Sequence, residues 1–267
     1  MRKYRYKAKK LKKYRRRKHS KKFFGFGFLS GVILASGFYF LFFSPVFQVK
    51  EIKISGNANI PIEELKSAIF EQIDKKIIFF NSKSIFLADL ESIKETVLEK
   101  MPQVAMVTVE RKFPSVLAAQ IEERKPVAVF CAENEQSENC FFIDKEGVIF
   151  EPVKNNLSNK TMLKIKKSEQ DILELRKQVV NREEMESILK INSRIAIPLK
   201  ELLIISEKRF NVRTSEDWEI YFNPQREIEW QIEKLEIILK EKIPSERRKN
   251  LEYIDLRFDK IYIFPKI

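Results

Sequence analysis

The chain of 267 residues contains only one histidine, His19, together with six glycines and two cysteines. Because His19 lies near the N-terminus, the remainder cannot build a histidine-based catalytic triad, metal site or general base. The few glycines form no glycine-rich phosphate-binding loop between a strand and a helix. Carboxylates are plentiful, but they lie on alternating strand-like patterns or in a charged loop, where solvated faces are the ordinary explanation. The composition therefore favours a protein with no enzymatic activity, no cofactor and no small-molecule substrate.

The first segment of the chain lacks acidic residues, and the second lacks charged residues of either sign. Residues 1–22 hold 14 Lys and Arg but no Asp or Glu, and residues 23–47 hold no charged side chain. The remainder is nearly neutral, with 37 basic against 38 acidic residues. About 20 apolar residues cross a bilayer as a helix, and basic flanks stay in the cytoplasm. The pattern predicts a basic cytoplasmic tail (1–22) and a transmembrane helix (23–45) in the plasma (inner) membrane, with the rest outside.

Two other interpretations of the N-terminus compete with a membrane anchor. Ala35, Ser36 and Gly37 resemble a signal-peptide cleavage pattern, although the apolar run continues beyond them to residue 43. Basic clusters also bind nucleic acid. Next to a membrane span, we interpret the tail as a topology signal that also attracts anionic lipid. We therefore expect no nucleic-acid partner.

Two small groups of residues are candidates for helix packing and for a covalent link. Gly27, Gly31 and Ala35 lie four apart, which lets a second membrane helix approach closely, although glycine is also common in membrane helices. Cys131 and Cys140 flank a polar stretch on the predicted external side, where disulfides persist. A disulfide between them would close a loop at the neck of a hairpin. Two free thiols are the alternative.

Residues 46–124 follow the order strand, helix, helix, strand, strand. Strand patterns occupy residues 47–54, 104–111 and 116–123. The two helices are predicted by apolar residues spaced three or four apart, which are Ile62, Leu65, Ile69 and Ile73 in the first and Phe86, Leu90, Ile93 and Val97 in the second. Residues 81–84 are candidate caps for the second helix. The order predicts a compact α+β unit with both helices on one face of a three-stranded sheet.

Residues 125–267 predict a second, mostly antiparallel β-rich domain with one or two packed helices. Residues 154–170 form a lysine-rich polar pattern typical of a loop. The helices are predicted by apolar stripes at Met185, Ile188 and Leu189 and at Ile228, Ile232, Leu235 and Leu239. Alternating strands are predicted at residues 210–212, 218–222, 251–257 and 261–264.

Several short segments resemble those of one bacterial family. They are FQVKEIKISGN at 47–57, PQVAMVTVERKFP at 102–114, IEERKPVA at 121–128, FIDKEGVIF at 142–150 and YIDLRF at 253–258. The first two resemble a POTRA (polypeptide-transport-associated) domain. In this order, after this anchor, the set resembles the FtsQ/DivIB family of cell-division proteins. The resemblance implies a POTRA domain (46–124) followed by a β-rich C-terminal domain (125–267).

The resemblance also implies a function. Members of the family would be non-enzymatic bitopic scaffolds of the division machinery, enriched at the division septum. They would bind FtsB-like and FtsL-like partners and link them to septal peptidoglycan synthesis, with FtsW/FtsI-like synthases in the same assembly. Two alternatives belong to other classes. One is a POTRA-containing anchored protein in secretion or envelope protein assembly, and the other is an anchored cell-wall hydrolase.

We expect partners to bind by strand addition at the last strands of the second domain, because an edge strand offers unpaired backbone groups. The residues expected to line this surface are Arg257, Phe258, Asp259, Lys260 and Ile261. On this hypothesis Arg257 pairs with a partner carboxylate and Phe258 fills an apolar pocket. The alternative is that Asp255 and Arg257 bridge their own sheet while Phe258 belongs to the core.

Overall fold

The structure is a computed structural model that describes residues 26–77, 80–134, 137–153, 162–168 and 173–265. The basic tail, the first three residues of the predicted span and most of the predicted polar loop lie outside the described residues. Internal contacts divide the described chain into two units, broadly the residues up to Glu122 and those from Glu123, with residues 102–105 belonging to the second unit.

The uncharged segment forms helix α1, Phe26–Phe43, which is long and apolar enough to cross a membrane. Almost all of its side chains are exposed in the isolated chain. A solvent-exposed helix of this composition would be unfavourable in water, because it removes no apolar surface from the solvent. Its length and composition agree with the predicted N-terminal membrane helix.

The first unit continues from α1 into an α+β fold. Its elements are β1 (Glu51–Ser55), α2 (Ile62–Ile73), β2 (Lys75–Ile77), β3 (Phe80–Ser82), α3 (Leu90–Lys100), β4 (Val104–Lys112) and β5 (Val116–Glu123). The main sheet has the order β1-β5-β4, and β1 runs parallel to β5. The predicted order of strand, two helices and two strands is therefore present, with the β2–β3 hairpin added between the helices.

The predicted stripes of α2 and α3 supply buried residues of this unit. They are Leu65, Ile69 and Ile73 from α2 and Ile93 and Val97 from α3. Helix α3 begins later than its pattern predicts. Asp89 caps it by accepting a hydrogen bond from the Ser92 N–H (3.2 Å), so residues 81–84 are not its cap. Phe86 consequently lies in the turn before α3 and is 39% exposed.

The second unit contains one large sheet and two α-helices. Its elements are β6 (Ala128–Asn134), β7 (Ser137–Ile143), β8 (Ile149–Pro152), β9 (Lys164–Lys167), α4 (Arg182–Arg194), β10 (Leu199–Ser206), β11 (Arg209–Thr214), β12 (Glu219–Phe222), α5 (Ile228–Glu241), β13 (Tyr253–Asp255) and β14 (Tyr262–Phe264). A 3₁₀ helix, Ser245–Asn250, precedes β13. Within the described residues, nine strands have the order β14-β13-β12-β11-β10-β9-β6-β7-β8.

One face of this sheet contributes to a single hydrophobic core with α4 and α5. Trp218, Phe210 and Phe222 are its largest fully buried side chains. Most neighbouring strands are antiparallel, but β9 is parallel to both β6 and β10, and β12 is parallel to β13. The predicted class, a mostly antiparallel β-rich domain with few helices, is confirmed.

The described part of the predicted polar loop contains a central strand. β9 joins β6 to β10, with Ile165 fully buried between them. Its lysines made the segment resemble a loop, yet Lys166 pairs with Glu201 of β10 at 3.1 Å. The sequence pattern also missed β10 itself. The prediction of a loop here is therefore wrong. A lysine-rich segment can form a strand because an opposite charge on the neighbouring strand stabilises its polar face.

Glycines in two of the family-like segments occupy positions that no other residue fits. Gly56 has φ +85°, and a Cβ there would lie 2.2 Å from the Ile121 carbonyl oxygen. Gly147 has φ +78°, and a Cβ there would lie 1.9 Å from the Val180 carbonyl oxygen. Both the positive φ and the close backbone approach exclude a side chain. These motif residues therefore serve the fold.

Two other motif residues form an ion pair with little exposure to solvent. The Arg124 guanidinium donates to the Asp144 carboxylate, and its Nε also donates to the Pro102 carbonyl at 3.2 Å. Asp144 Oδ1 accepts the backbone N–H groups of Glu146 and Val148, each at 3.0 Å. The side chains of the pair are only 14% and 6% exposed. The ion pair therefore fixes the start of the second unit to its first hairpins.

Replacing Arg124 by alanine should leave Asp144 charged, buried and without its partner, which costs about 3–5 kcal/mol. We expect the thermal unfolding midpoint of the full-length chain in detergent micelles to fall by roughly 10 °C. Arg182 is a matched control, because it is 69% exposed and pairs with Glu146 of the same hairpin. Arg182→Ala should lower the midpoint by about 2 °C or less. Equal shifts for the two variants would contradict a special role for the buried pair.

Candidate protein-binding edge

The two edge strands of the second unit differ in how their outer backbone groups are used. At β8, the Arg176 N–H donates to the Ile149 carbonyl at 2.7 Å, and the Ile149 N–H donates to Lys177 at 3.1 Å. Pro152 ends β8 and has no N–H to offer. In the part of the chain that the structure describes, β14 has β13 on one side and no strand on the other. β14 is therefore the open edge of the sheet.

Three aromatic rings stack across the strands that lead to this edge. The centroids of Tyr221 and Tyr253 are 5.1 Å apart and those of Tyr253 and Phe264 are 5.6 Å apart, with interplanar angles of 20° and 17°. The Arg209 guanidinium lies 4.8 Å from the Tyr221 ring. Burial, followed by the nearby Glu219 carboxylate, raises the pKa of the Tyr221 hydroxyl. The stack ends at Phe264, which is 47% exposed on β14.

The turn between β13 and β14, residues 256–261, is called here the terminal turn, and Arg257 stabilises it from within. Its Nε and Nη2 donate to Asp255 Oδ1 and Oδ2 at 2.9 and 2.6 Å, a bidentate arrangement. These hydrogen bonds raise the pKa of Arg257 further above its ordinary value. The guanidinium also lies 5.5 Å from the Tyr221 ring and 5.2 Å from the Phe258 ring. Arg257 therefore has its carboxylate partner inside its own chain.

Two basic side chains hold the terminal turn from outside. Arg226 donates to the Asp259 carboxylate at 2.5 Å and to the Arg257 carbonyl at 3.0 Å. From α5, Lys234 donates to the Asp259 carbonyl at 3.1 Å, and its Nζ lies 3.2 Å from the centroid of the Trp230 ring. Because three backbone or carboxylate oxygens of the turn are bound, its position next to β14 is well defined.

The structure divides the five predicted surface residues into two groups. Phe258, Asp259 and Lys260 are exposed, whereas Arg257 and Ile261 are half-buried. Phe258 is 50% exposed, so it does not belong to the core. Sequence reasoning missed Tyr262 and Phe264, which are 53% and 47% exposed on the open strand. Their spacing of two in a strand places both rings on one face, and that spacing could have identified them.

Helix α1 carries the predicted packing residues on its exposed surface. Gly27, Gly31 and Ala35 are all exposed. Apart from each glycine's chain neighbours and the adjacent backbone of α1 itself, no described atom lies within 4 Å of the position that a Cβ would occupy at Gly27 or Gly31. The close approach of another membrane helix to this face stays a prediction.

Cys131 and Cys140 lie directly opposite each other in the β6–β7 ladder, with their Cα atoms 4.1 Å apart and their sulfurs bonded. The ladder continues past them to the Asn134–Ser137 pair. The polar stretch that was predicted as a loop is therefore mostly strand, and this prediction is wrong. A hairpin needs no apolar residues to satisfy its backbone, since the cross-strand hydrogen bonds do so. The bond links two strands rather than closing the neck of a loop.

Thiol labelling tests whether this bond forms in the cell. In chain purified without reductant, we expect an alkylating reagent to modify neither cysteine, and to modify both after reduction. Replacing both with serine should destabilise the chain by about 2 kcal/mol, because the unfolded hairpin is no longer constrained. As a control, Cys131→Ser alone should expose one thiol that reacts without reduction. Two reactive thiols in the unreduced chain would contradict the bond.

An apolar helix precedes an α+β unit with the element order of a POTRA domain and a β-rich unit with an open edge, which together define the class of POTRA-containing proteins. A sequence model described as "POTRA domain, FtsQ-type" matches residues 47–124. A second model, described as "Cell division protein FtsQ/DivIB, C-terminal", matches residues 133–257. The chain therefore belongs to the FtsQ/DivIB family of cell-division proteins, which confirms the resemblance found in the sequence.

Curated relatives carry names of the same family. The chain is 29% identical to the cell division protein DivIB of Clostridium acetobutylicum, over 45% of this chain and 43% of that protein. It is 25% identical to the cell division protein FtsQ of Streptomyces bingchenggensis, over 45% and 42%, and 28% identical to that of Mycolicibacterium smegmatis, over 41% and 29%. Each match spans less than half of the relative. Membership supports a role in cell division, in a family of non-catalytic division scaffolds.

Proposed function

We propose that this chain is a bitopic membrane scaffold of the division machinery. Its basic tail would be cytoplasmic and in contact with anionic lipid, α1 would cross the membrane, and the POTRA domain (46–124) and C-terminal domain (125–267) would lie outside. It would be enriched at the septum, where it binds FtsB-like and FtsL-like partners and links them to FtsW/FtsI-like synthases of septal peptidoglycan. The family membership and the apolar helix α1 support this proposal.

The observation that carries the proposed binding mode is the open edge at β14. Backbone N–H and C=O groups on the outer side of an edge strand can pair with an extended segment of another chain. An added strand would run beside β14, so its alternate side chains would meet Tyr262 and Phe264. Phe258 from the terminal turn would contact the same segment. The backbone would fix the register, and the three exposed rings would supply apolar contact.

The charges near the edge favour a partner with an acidic residue. Asp255 and Asp259 are already paired with Arg257 and Arg226. Among the described residues, the exposed Lys260 has no carboxylate within ion-pair distance. The sequence hypothesis gave the partner carboxylate to Arg257, but the bidentate bond to Asp255 makes Lys260 the better candidate. A rim charge of this kind steers association more than it adds affinity.

Truncating Phe258 should weaken capture of an FtsB-like partner without unfolding the domain. Removing a half-exposed ring from the centre of a small interface costs about 1.4 kcal/mol, so we expect about a tenfold higher Kd for Phe258→Ala. Binding of the full-length chain to the full-length partner in the same nanodiscs measures this. Leu175→Ala is the matched control, because Leu175 is 41% exposed and precedes the segment that covers the opposite edge strand β8.

The binding mode itself is tested by amide hydrogen exchange in the same nanodiscs. Strand addition should slow the exchange of β14 amides when the partner binds, because their outer groups become hydrogen-bonded. Docking through side chains alone would leave those amides unchanged. A Kd for Phe258→Ala equal to that of Leu175→Ala, with both variants folded, would contradict the terminal-turn site.

Topology and location test the scaffold proposal in cells. Protease added to intact spheroplasts should degrade the C-terminal domain but spare the basic tail, since only the tail would be cytoplasmic. A fluorescent protein fused to the N-terminus should form a band at midcell. Uniform membrane fluorescence would contradict the division role. A mature chain that starts near Phe38 would instead show that the helix is a cleaved signal peptide.

A further inference from the structure

The end of helix α1 is tied to the POTRA-type unit by side chains rather than connected through a free linker. Ser84 Oγ donates to the Leu41 carbonyl at 3.0 Å, and Ser82 Oγ donates to the Phe42 carbonyl at 2.5 Å. Gln48 Nε2 donates to the Phe42 carbonyl as well, at 3.0 Å. The last carbonyls of a helix have no partner within the helix, so these bonds complete its C-terminus. Both serines are buried.

A row of aromatic rings continues from the membrane helix along the surface of the unit. Phe40 of α1 lies 5.6 Å from Phe47, Phe47 lies 5.2 Å from Phe86, and Phe86 lies 5.4 Å from Phe113, measured between ring centroids. Phe86 and Phe113 are 39% and 59% exposed. We call Phe47, Phe86 and Phe113 the aromatic row. Exposed apolar residues in contact with one another mark interaction surfaces more often than isolated ones.

The backbone that carries the row is held rigidly. Arg111 Nε and Nη2 donate to the carbonyls of Ile85 and Ala88 at 2.9 and 2.7 Å, on either side of Phe86. The Ile85 N–H donates to the Phe47 carbonyl at 2.8 Å. Phe47 and Phe86 are therefore fixed relative to each other and to the end of α1. Such pre-organisation lowers the entropy that a docked surface must lose.

We infer that the aromatic row docks on the external leaflet of the lipid bilayer, so that lipid covers Phe86 and Phe113. This inference rests on the proposed membrane topology. The lipid is the favoured occupant because the aromatic row starts in contact with Phe40, on the part of α1 that would end at the external interface. Aromatic side chains are favoured at the level of the lipid headgroups, and apolar side chains there insert about 5–10 Å. The capped helix end holds the row at that level.

Quenching of tryptophan fluorescence by brominated lipid tests the inference. The full-length chain is reconstituted in vesicles of phosphatidylethanolamine and phosphatidylglycerol, with or without bromine on the acyl chains. We expect the fluorescence of the tryptophan introduced by Phe113→Trp to fall about twofold in the brominated vesicles, because its ring reaches the acyl region. The emission of the two native tryptophans is subtracted by using the unsubstituted chain. Phe86→Trp repeats the measurement should Phe113→Trp fail to fold.

Met106→Trp is the matched control. Met106 is 56% exposed, close to the 59% of Phe113. It lies on β4, seven residues before Phe113, which directly follows this strand, so the two are roughly 20 Å apart at about 3.3 Å per residue. Its added emission should change by less than about a tenth in the brominated vesicles, because acyl bromines lie beyond its reach. Equal quenching at Met106 and Phe113 would overturn the inference, since lipid contact would then not be confined to the row.

Phe40→Trp separates the inference from the proposal on which it rests. Quenching at Phe40 without quenching at Phe113 would overturn lipid docking and leave the membrane anchor intact. A blue-shifted but unquenched Phe113→Trp would also overturn it, because a protein surface would then cover the row. Absence of quenching at Phe40 as well would overturn the membrane anchor itself.

Discussion

Backbone groups that leave water need hydrogen-bond partners, and this constraint governs the end of helix α1 and the edges of the large sheet. Ser82 and Ser84 satisfy the last carbonyls of α1. The segment at Arg176 and Lys177 covers β8. Within the described chain, β14 is left with one side uncovered by any strand. On the proposed function, this uncovered side of β14 is where another chain would add a strand.

Much of the fold could be predicted because its signals are local. The stripes on α2 and α5 and the alternation in β4 and β5 record which face each element buries. The strand β9 could not be found this way, because only Ile165 of its four residues is fully buried and lysines surround it. Its place in the sheet depends on β6, β10 and the Glu201 carboxylate, which are distant in the sequence. Non-local pairing of that kind leaves little trace in the pattern of one segment.

The sequence predicted the terminal turn between two strands but not the contacts within it. The family-like YIDLRF segment identified the terminal turn, and its aromatic Phe258 is exposed as a binding residue must be. The role of Arg257 was undecidable from the sequence, since an arginine two residues after an aspartate can pair inward or outward. Arg257 bonds to Asp255 because of the register of β13 against β14 and the aromatic rings around the guanidinium, neither of which the sequence shows. The roles of Arg226 and Lys234 could not be predicted either, because both residues contact the turn from elements distant in the sequence.

Magnitudes decide how such an edge could hold a partner. β14 has three residues, so an added strand gains only about two or three backbone hydrogen bonds, each worth about 1 kcal/mol net. Burying the exposed halves of Phe258, Tyr262 and Phe264 adds about 1 kcal/mol each. Micromolar binding needs about 8 kcal/mol beyond the cost of association. The edge alone falls short of that. On the proposed function, anchoring both chains in one membrane would raise their effective concentration, so that a weak, register-specific contact would suffice.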